Sequence, residues 1–343
     1  MELHVEVDTV ICANHSVSGA YSDNGTSYNE DIGFSPNSRS YRKSKFFPLF
    51  TIIRFTNEVC KTTNEEGGIC YTRKQCTLLG GTSHGSCAQG LGVCCQFQAT
   101  CGAIITQNGT LFRNPNFPQK YQPSGGSDVC QVRIRKPQNV CQLRLNFIKF
   151  DVEGPLGPSS GTANQPSQDA GMCKNDALSI TSSGATVPQL CGQLGGQHMY
   201  VDFGTSDTIT MNLMLGGNVQ RDREWSVEVV TIPCNSISRA PVGCLQYFTG
   251  VSGQVESFNN PGSIHLANQD YSICVRMEDG MRSIEWSGCQ PAAVRISGPT
   301  PLQTNVGNTQ QPTCPGGPGN TGGSAGSAGD YLIIMGGIQY PQQ

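Results

Sequence analysis

The sequence predicts an all-β protein: antiparallel β-sandwiches in tandem, preceded by a small disulfide-rich module. Apolar residues alternate with polar residues over several short stretches, which is typical of half-buried strands. Gly and Pro account for 42 and 20 of the 343 residues, and charged residues for only 14%. This composition disfavours helical bundles and coiled coils. The 17 cysteines are spread over the whole chain, which indicates that disulfide bonds hold the domains together.

Disulfide bonds explain these cysteines better than metal binding does. Metal sites need paired or clustered Cys and His, but the sequence has no C-x-x-C pair and its five His are scattered. Because disulfides persist in oxidising compartments, we expect a secreted, extracellular glycoprotein, with N-x-[ST] sequons at Asn14, Asn24 and Asn108. The first eight residues do not form a signal peptide, so we expect the true N-terminus to lie outside this sequence.

Charge and hydropathy exclude several classes of partner. The net charge of −3 offers no basic face for nucleic acid. The longest apolar stretch, residues 46–55, is about half of the ~20 residues of a membrane span and contains Pro48 and Arg54. Residues 317–322 fit the G-x-G-x-x-G pattern, but they lie in a Pro- and Gly-rich linker without a helix to follow. We therefore predict an extracellular protein ligand, no membrane span and no small-molecule cofactor.

The N-terminal third divides into two parts. Residues 1–45 are polar and are predicted to be a disordered segment or an incorrect start. Residues 46–99 form the disulfide-rich module, with cysteines at positions 60, 70, 76, 87, 94 and 95. So short a segment cannot bury a sufficient core unaided. Its six cysteines allow fifteen pairings, and spacing alone does not choose among them.

Strand patterns begin after Cys101 and define a first sandwich over residues 100–234. The alternating apolar residues, which we expect to face the core, are Val132, Ile134, Leu143, Leu145, Phe147, Ile209, Met211, Leu213, Leu215, Trp225, Val227 and Val229. The spacing from Cys101 to Cys130 recurs, one residue longer, from Cys244 to Cys274. We therefore predict a second copy over residues 240–343, truncated at its C-terminus because nothing in it matches residues 191–230.

The first copy contains, in order, Cys101-Gly102, Asn114-Pro115-Asn116-Phe117-Pro118, Phe150-Asp151-Val152-Glu153, Cys173-Lys174-Asn175-Asp176 and Cys191-Gly192. This order of motifs resembles the CUB domain. Residues 239–253 and 266–271 resemble, more narrowly, the secreted tandem-CUB proteins of insects. The resemblance implies CUB-type sandwiches with bonds Cys101–Cys130, Cys173–Cys191 and Cys244–Cys274. We expect Cys141–Cys234 as a further pair in the first domain, and the partners of Cys12, Cys289 and Cys314 stay open.

The six-cysteine segment resembles the clip modules of arthropod proteases and their homologues. The resemblance rests on the order of single cysteines that ends in Val93-Cys94-Cys95. It implies pairing of the first cysteine with the fifth, the second with the fourth and the third with the sixth. The implied bonds are Cys60–Cys94, Cys70–Cys87 and Cys76–Cys95.

A calcium site is implied by three residues of the first domain. Tyr121, Glu153 and Asp176 match positions that hold Ca²⁺ at one end of many CUB sandwiches, where the ion orders loops that bind a basic ligand side chain. The third acid of the family pattern is absent, because Gly216-Gly217 stands at its place. We therefore expect a weak Ca²⁺ site. The alternative is a pair of exposed carboxylates, with Tyr121 packed at the edge of the core.

Catalysis is not predicted. Residues 81–85 fit G-x-S-x-G, but this motif needs an α/β sheet around it, and here it lies inside the six-cysteine segment. We predict a non-catalytic extracellular protein-binding module with a calcium-dependent ligand site. The alternative is the regulatory N-terminal part of a clip- and CUB-containing serine protease or inactive homologue. A structural matrix component is the third interpretation, although repeated Gly or Tyr motifs are lacking outside the linker.

Overall fold

The computed structural model consists almost entirely of β-strands. It describes residues 2–5, 8–15, 57–63, 66–123, 126–157, 169–216, 221–260, 264–289, 294–295 and 332–334. Within these ranges there are twenty strands, one six-residue α-helix and one 3-10 turn at Ala88–Gly90. The predicted all-β fold is confirmed.

The disulfide-rich module is a small sheet with one helix. Two short strands precede it in the chain. The elements up to residue 99 are β1 (Glu2–Val5), β2 (Asp8–His15), β3 (Val59–Lys61), β4 (Gly67–Tyr71), α1 (Arg73–Leu78), β5 (Thr82–Cys87) and β6 (Gly92–Ala99). Thr72 and Gln75 form a capping box that starts α1. The module's disulfides are Cys60–Cys94, Cys70–Cys87 and Cys76–Cys95, the pairing that the clip resemblance implies.

The first sandwich packs two sheets face to face. Its strands are β7 (Ile104–Ile105), β8 (Thr110–Arg113), β9 (Asp128–Arg135), β10 (Val140–Asp151), β11 (Ala177–Thr181), β12 (His198–Asp202), β13 (Thr208–Leu215) and β14 (Glu224–Pro233). One sheet has the order β12-β10-β14-β8 and the other β11-β13-β9-β7. The apolar residues that alternate along these strands are at most 1% exposed. Cys101–Cys130, Cys141–Cys234 and Cys173–Cys191 are bonded.

The disulfide-rich module and the first sandwich share a continuous sheet. Strand β6 pairs in parallel with β8, so that β4 and β3 extend the sheet beyond the sandwich. An ion pair between Arg113 and Glu66 reinforces the junction, and Gln96 Nε2 donates to Glu66 at 2.8 Å. The sequence divides the two units at residue 99, whereas in the structure β6 covers what would otherwise be an open edge strand.

The second sandwich draws strands from both ends of the chain. Its later strands are β15 (Cys244–Phe248), β16 (Ser252–Glu256), β17 (Tyr271–Val275), β18 (Ile284–Gly288), β19 (Val294–Arg295) and β20 (Leu332–Ile334). The sheet orders are β15-β17-β1-β20 and β16-β2-β18, with β19 also paired to β2. Cys244 and Cys274 are bonded, as the repeat implies.

The N-terminal strands take the places that β13 and β14 take in the first sandwich. Strand β1 lies antiparallel to β17 as β13 lies antiparallel to β9. Strand β2 lies between β16 and β18 as β14 lies between β8 and β10. The sequence predicts residues 1–45 to be a disordered segment or an incorrect start. The structure has strands within this segment, at Glu2–Val5 and Asp8–His15. Residues 16–45 lie outside the described part of the chain.

The two sandwiches contact each other through polar and apolar groups. One apolar cluster at the contact comprises Tyr200, Ile232, Ala240, Cys244, Tyr247 and Cys274. A polar contact also joins the two domains, since Gln193 N donates to Asn259 Oδ1 at 2.8 Å. Gly192 has a φ of +83°, and a Cβ added there would lie 2.1 Å from Asn259 Oδ1. The close approach of the two domains therefore requires glycine at this position.

Candidate functional site

The predicted site residues lie at one end of the first sandwich. Strand β10 ends at Asp151, β11 begins at Ala177, β13 ends at Leu215 and β14 begins at Glu224. Because these neighbouring strands run antiparallel, the loops that join them meet at the same end. We call this region the loop end; it comprises Tyr121, Asp128, Asp151, Glu153, Asp176, Gly216 and residues 221–223.

Asp176 is the centre of the loop end and is completely buried. Its carboxylate accepts hydrogen bonds from the backbone N–H of Glu153 at 2.8 Å and of Gly216 at 2.9 Å. Arg223 donates two more, from Nε to Oδ2 at 2.8 Å and from Nη2 to Oδ1 at 3.0 Å. Such charge-assisted bidentate pairs are strong and geometrically specific.

Arg223 joins this carboxylate to the surrounding backbone. Its side chain is 0% exposed. Nη1 donates to the Arg221 carbonyl and Nη2 to the Gly216 carbonyl, both at 2.8 Å. Its own backbone exchanges two 2.8 Å hydrogen bonds with Tyr121. Arg223 therefore connects the loop between β8 and β9 to the loop between β13 and β14.

A second arginine covers the acids on the surface of the loop end. Arg221 pairs with Asp151, and its Nη1 lies 3.6 Å from Glu153 Oε2. The exposed side-chain fractions are 36% for Arg221, 44% for Asp151 and 28% for Glu153. This cluster is thus half-exposed, in contrast to the buried pair beneath it.

Tyr121 is directed to another acid. Its hydroxyl donates to Asp128 Oδ2, and its ring packs edge-on against Trp225 with centroids 5.9 Å apart. The hydrogen bond to Asp128, then burial and the negative charge of Asp128, raise the pKa of Tyr121 to about 12. The hydroxyl is therefore neutral at physiological pH.

The structure brings Glu153 and Asp176 together but gives each predicted ligand a protein partner. Both oxygens of Asp176 are engaged, the Glu153 carboxylate faces Arg221, and the Tyr121 hydroxyl faces Asp128. Within the described ranges, no group of three or more His, Cys, Asp or Glu is arranged to hold a metal ion. These contacts do not fit the calcium site that the resemblance implies. Nor is Asp176 the exposed carboxylate of the alternative interpretation.

Sequence reasoning missed the two arginines. The family pattern has an acid where Gly216 stands, and the next acid along the chain, Asp222, lies six residues further on. The charges that pair with Asp176, Asp151 and Glu153 are those of its two neighbours, Arg221 and Arg223. The pattern Arg221-Asp222-Arg223 just before β14 was the available signal. Successive residues of a strand point to opposite faces, so Arg221 and Arg223, which are two residues apart, lie on the same side. One is half-exposed and the other is buried, and both serve the same loop end.

The sequons differ in their surroundings. Asn108 is partly exposed, and its Oδ1 accepts from Thr231 N at 2.8 Å. The hydroxyl of Thr110, the third residue of that sequon, is bonded to the Gln107 carbonyl at 2.7 Å. Asn14 lies in β2, and Asn24 lies outside the described residues.

Family models match both sandwiches. Residues 101–228 match the CUB domain, and residues 241–343 match the animal CUB domain. The chain contains two CUB domains. No curated protein gives a match. No helix within the described ranges is long and apolar enough to cross a membrane.

Solved CUB structures are similar to parts of this chain. The crystal structure of the MASP-1 CUB2 domain bound to Ca²⁺ is 20% identical, with a TM-score of 0.27 over 38% of this chain and 98% of that one. The CUB1-EGF-CUB2 domains of rat MASP-1 are 11% identical, with a TM-score of 0.29 over 46% of this chain and 52% of that one. The human MASP-1/3 CUB1-EGF-CUB2 structure is 18% identical, with a TM-score of 0.28 over 51% and 54%. The matched part thus spans about half of each CUB1-EGF-CUB2 structure.

Proposed function

We propose that this chain is a non-catalytic extracellular protein-binding protein whose contact surface is the loop end of the first CUB domain. CUB domains usually bind extracellular proteins. In addition, the described part of the chain contains seven disulfides, which form and persist in an oxidising compartment. Secretion and glycosylation belong to the same proposal.

The charge of the loop end carries this proposal. Asp128, Asp151, Glu153 and Asp222 all retain some exposure, and Arg221 is the partly exposed cation among them. The buried Asp176–Arg223 pair beneath them is neutral overall. The four acids form an acidic rim above this rigid buried pair. Such a rim fits a Lys or Arg side chain from a partner protein, because loops that are already ordered lose less entropy on binding.

The alternative role is that of a regulatory segment in a protease or an inactive homologue. The first-to-fifth, second-to-fourth and third-to-sixth pairing of the module supports it. A full-length transcript that continues into a trypsin-like domain would favour this role. A transcript that ends directly after the second CUB domain would remove it.

The test of the binding surface is a screen with matched variants. The biotinylated full chain is assayed against a panel of purified receptor ectodomains and secreted proteins. Each binder is then measured again with Asp151→Asn/Glu153→Gln, which removes two acids of the rim. The control is Asp207→Asn, because this exposed acid precedes β13 at the opposite end of the sandwich.

The proposal expects the rim variant to weaken binding at least tenfold and the control to leave it unchanged. Binding should also weaken as salt rises, since the charges are exposed. Equal affinities for the wild type and both variants would move the contact surface away from the loop end.

A further inference from the structure

The carboxylate of Asp176 has no remaining capacity for another ligand. An ionised carboxylate offers about four acceptor positions. Two receive the backbone N–H groups of Glu153 and Gly216, and two receive the guanidinium of Arg223. A metal ion bound to Asp176 would have to displace at least one of these donors.

Arg223 holds several loop segments together, as a bound metal cation would. A calcium ion gathers oxygens from several segments at one point. Arg223 gathers the carboxylate of Asp176 and the carbonyls of Gly216 and Arg221 around one guanidinium. Through Asp176 it also fixes the backbone of Glu153, and through its own backbone it fixes Tyr121.

The electrostatic environment opposes a second cation. The side chains of Arg223 and Asp176 are both 0% exposed. Little water therefore screens the positive charge of the guanidinium from a nearby ion. Arg221 places another positive charge beside Glu153, with Nη1 3.6 Å from Oε2. A divalent ion between Glu153 and Asp176 would therefore face two guanidinium groups at once.

We propose that Arg223 is the permanent internal cation of the loop end, so that its loops are ordered without calcium and do not respond to chelation. This order of the loops does not depend on whether the loop end binds a protein ligand. Arg223 acts as a positioning residue, since it is buried and reaches a partner only through the loops it holds.

The first experiment is performed on the full wild-type chain. Thermal unfolding is recorded in 5 mM CaCl₂ and in 5 mM EDTA, and equilibrium dialysis with 1 mM radiolabelled Ca²⁺ counts bound ions. The expected result is a melting temperature that agrees within about 1 °C and no ion at the loop end. Calcium binding that Glu153→Gln abolishes would overturn the proposal, whereas binding that this variant leaves intact lies elsewhere in the chain.

The second experiment removes the internal cation. Arg223→Met leaves a buried carboxylate without a counter-charge, and its melting temperature should fall by roughly 10 °C. The double variant Arg223→Met/Asp176→Leu removes both charges and should melt closer to the wild type. Arg221→Met is the matched control, because this half-exposed arginine should shift the melting temperature by about 3 °C or less.

The variants also distinguish a structural failure from a wrong assignment. If Arg223→Met is not secreted, the double variant and the wild-type dialysis still test the proposal. An Arg223→Met chain that melts like the wild type would show that another group balances Asp176, and the proposal would fail.

Discussion

His198 Nε2 lies 3.0 Å from the carbonyl oxygen of Tyr247, which joins β12 of the first CUB domain to β15 of the second. A carbonyl only accepts hydrogen bonds, so the neutral imidazole donates from Nε2. The ring packs edge-on against Phe248 and Tyr200, at centroid distances of 4.8 and 5.6 Å. Burial and the charge of Arg144 lower the pKa of His198 to about 4, although the bond to Tyr247 opposes the shift.

The domain contact should weaken in acid. An unfolded chain protonates His198 near pH 6.5, whereas the folded chain resists protonation until about pH 4. The free energy of unfolding therefore falls as the pH drops from 6.5 to 4, by roughly 3 kcal/mol from this residue. Urea unfolding between pH 7.5 and 4 measures it. His198→Gln should lose less stability over this range, with His84→Gln as the control. Parallel losses in all three proteins would contradict the assignment.

Gly192 should not tolerate a side chain. Gly192→Ala would place a methyl group 2.1 Å from Asn259 Oδ1 at a positive φ, and we expect a loss of about 2–4 kcal/mol from clash and backbone strain together. Gly196→Ala is the matched control, because its φ is +87° and nothing lies within 4 Å of the added Cβ. That variant should lose only about 1–2 kcal/mol, from backbone strain alone. Similar losses in the two variants would mean that the close domain contact does not form in solution.

The disulfides of the first domain should differ in their contribution to stability. Cys141–Cys234 closes a sequence separation of 93, and Cys173–Cys191 one of 18. The loop-closure model predicts that removing the former costs about 1.5 kcal/mol more. Paired Cys→Ser variants measured by urea unfolding test the difference. Non-reducing peptide mapping should first show both links, and free thiols at these four positions would end the extracellular interpretation.

Residues 2–15 should be required for the second CUB domain. Their deletion removes β1 from between β17 and β20, and β2 from between β16 and β18. Unpaired strands exchange amide hydrogens rapidly, so exchange should rise in Tyr271–Val275 and Ser252–Glu256. Exchange in Thr208–Leu215 of the first domain serves as the internal control. A synthetic peptide of residues 1–15 should restore protection, and unchanged exchange in the deleted chain would disprove the pairing.

The sequence predicts the first sandwich well because its signals are local. Alternation along β10 or β14 specifies which side chains face the core, and the cysteine spacing marks the repeat. The Asp176–Arg223 pair depends instead on how two loops, 47 residues apart in sequence, approach each other. The pairing of strand β1 likewise depends on a segment that is distant in sequence. Residues 2–5 alternate polar and apolar, but the strand they pair with, β17, lies about 270 residues away.

The most direct test of the loop end is an experimental structure of the secreted chain, determined from crystals grown in 5 mM CaCl₂. We expect both guanidinium contacts of Arg223 with Asp176 at about 3 Å, Arg221 beside Asp151, and no ion among Tyr121, Glu153 and Asp176. A calcium ion coordinated by Asp176, with the Arg223 side chain turned away from it, would contradict the assignment of Arg223 as the internal cation.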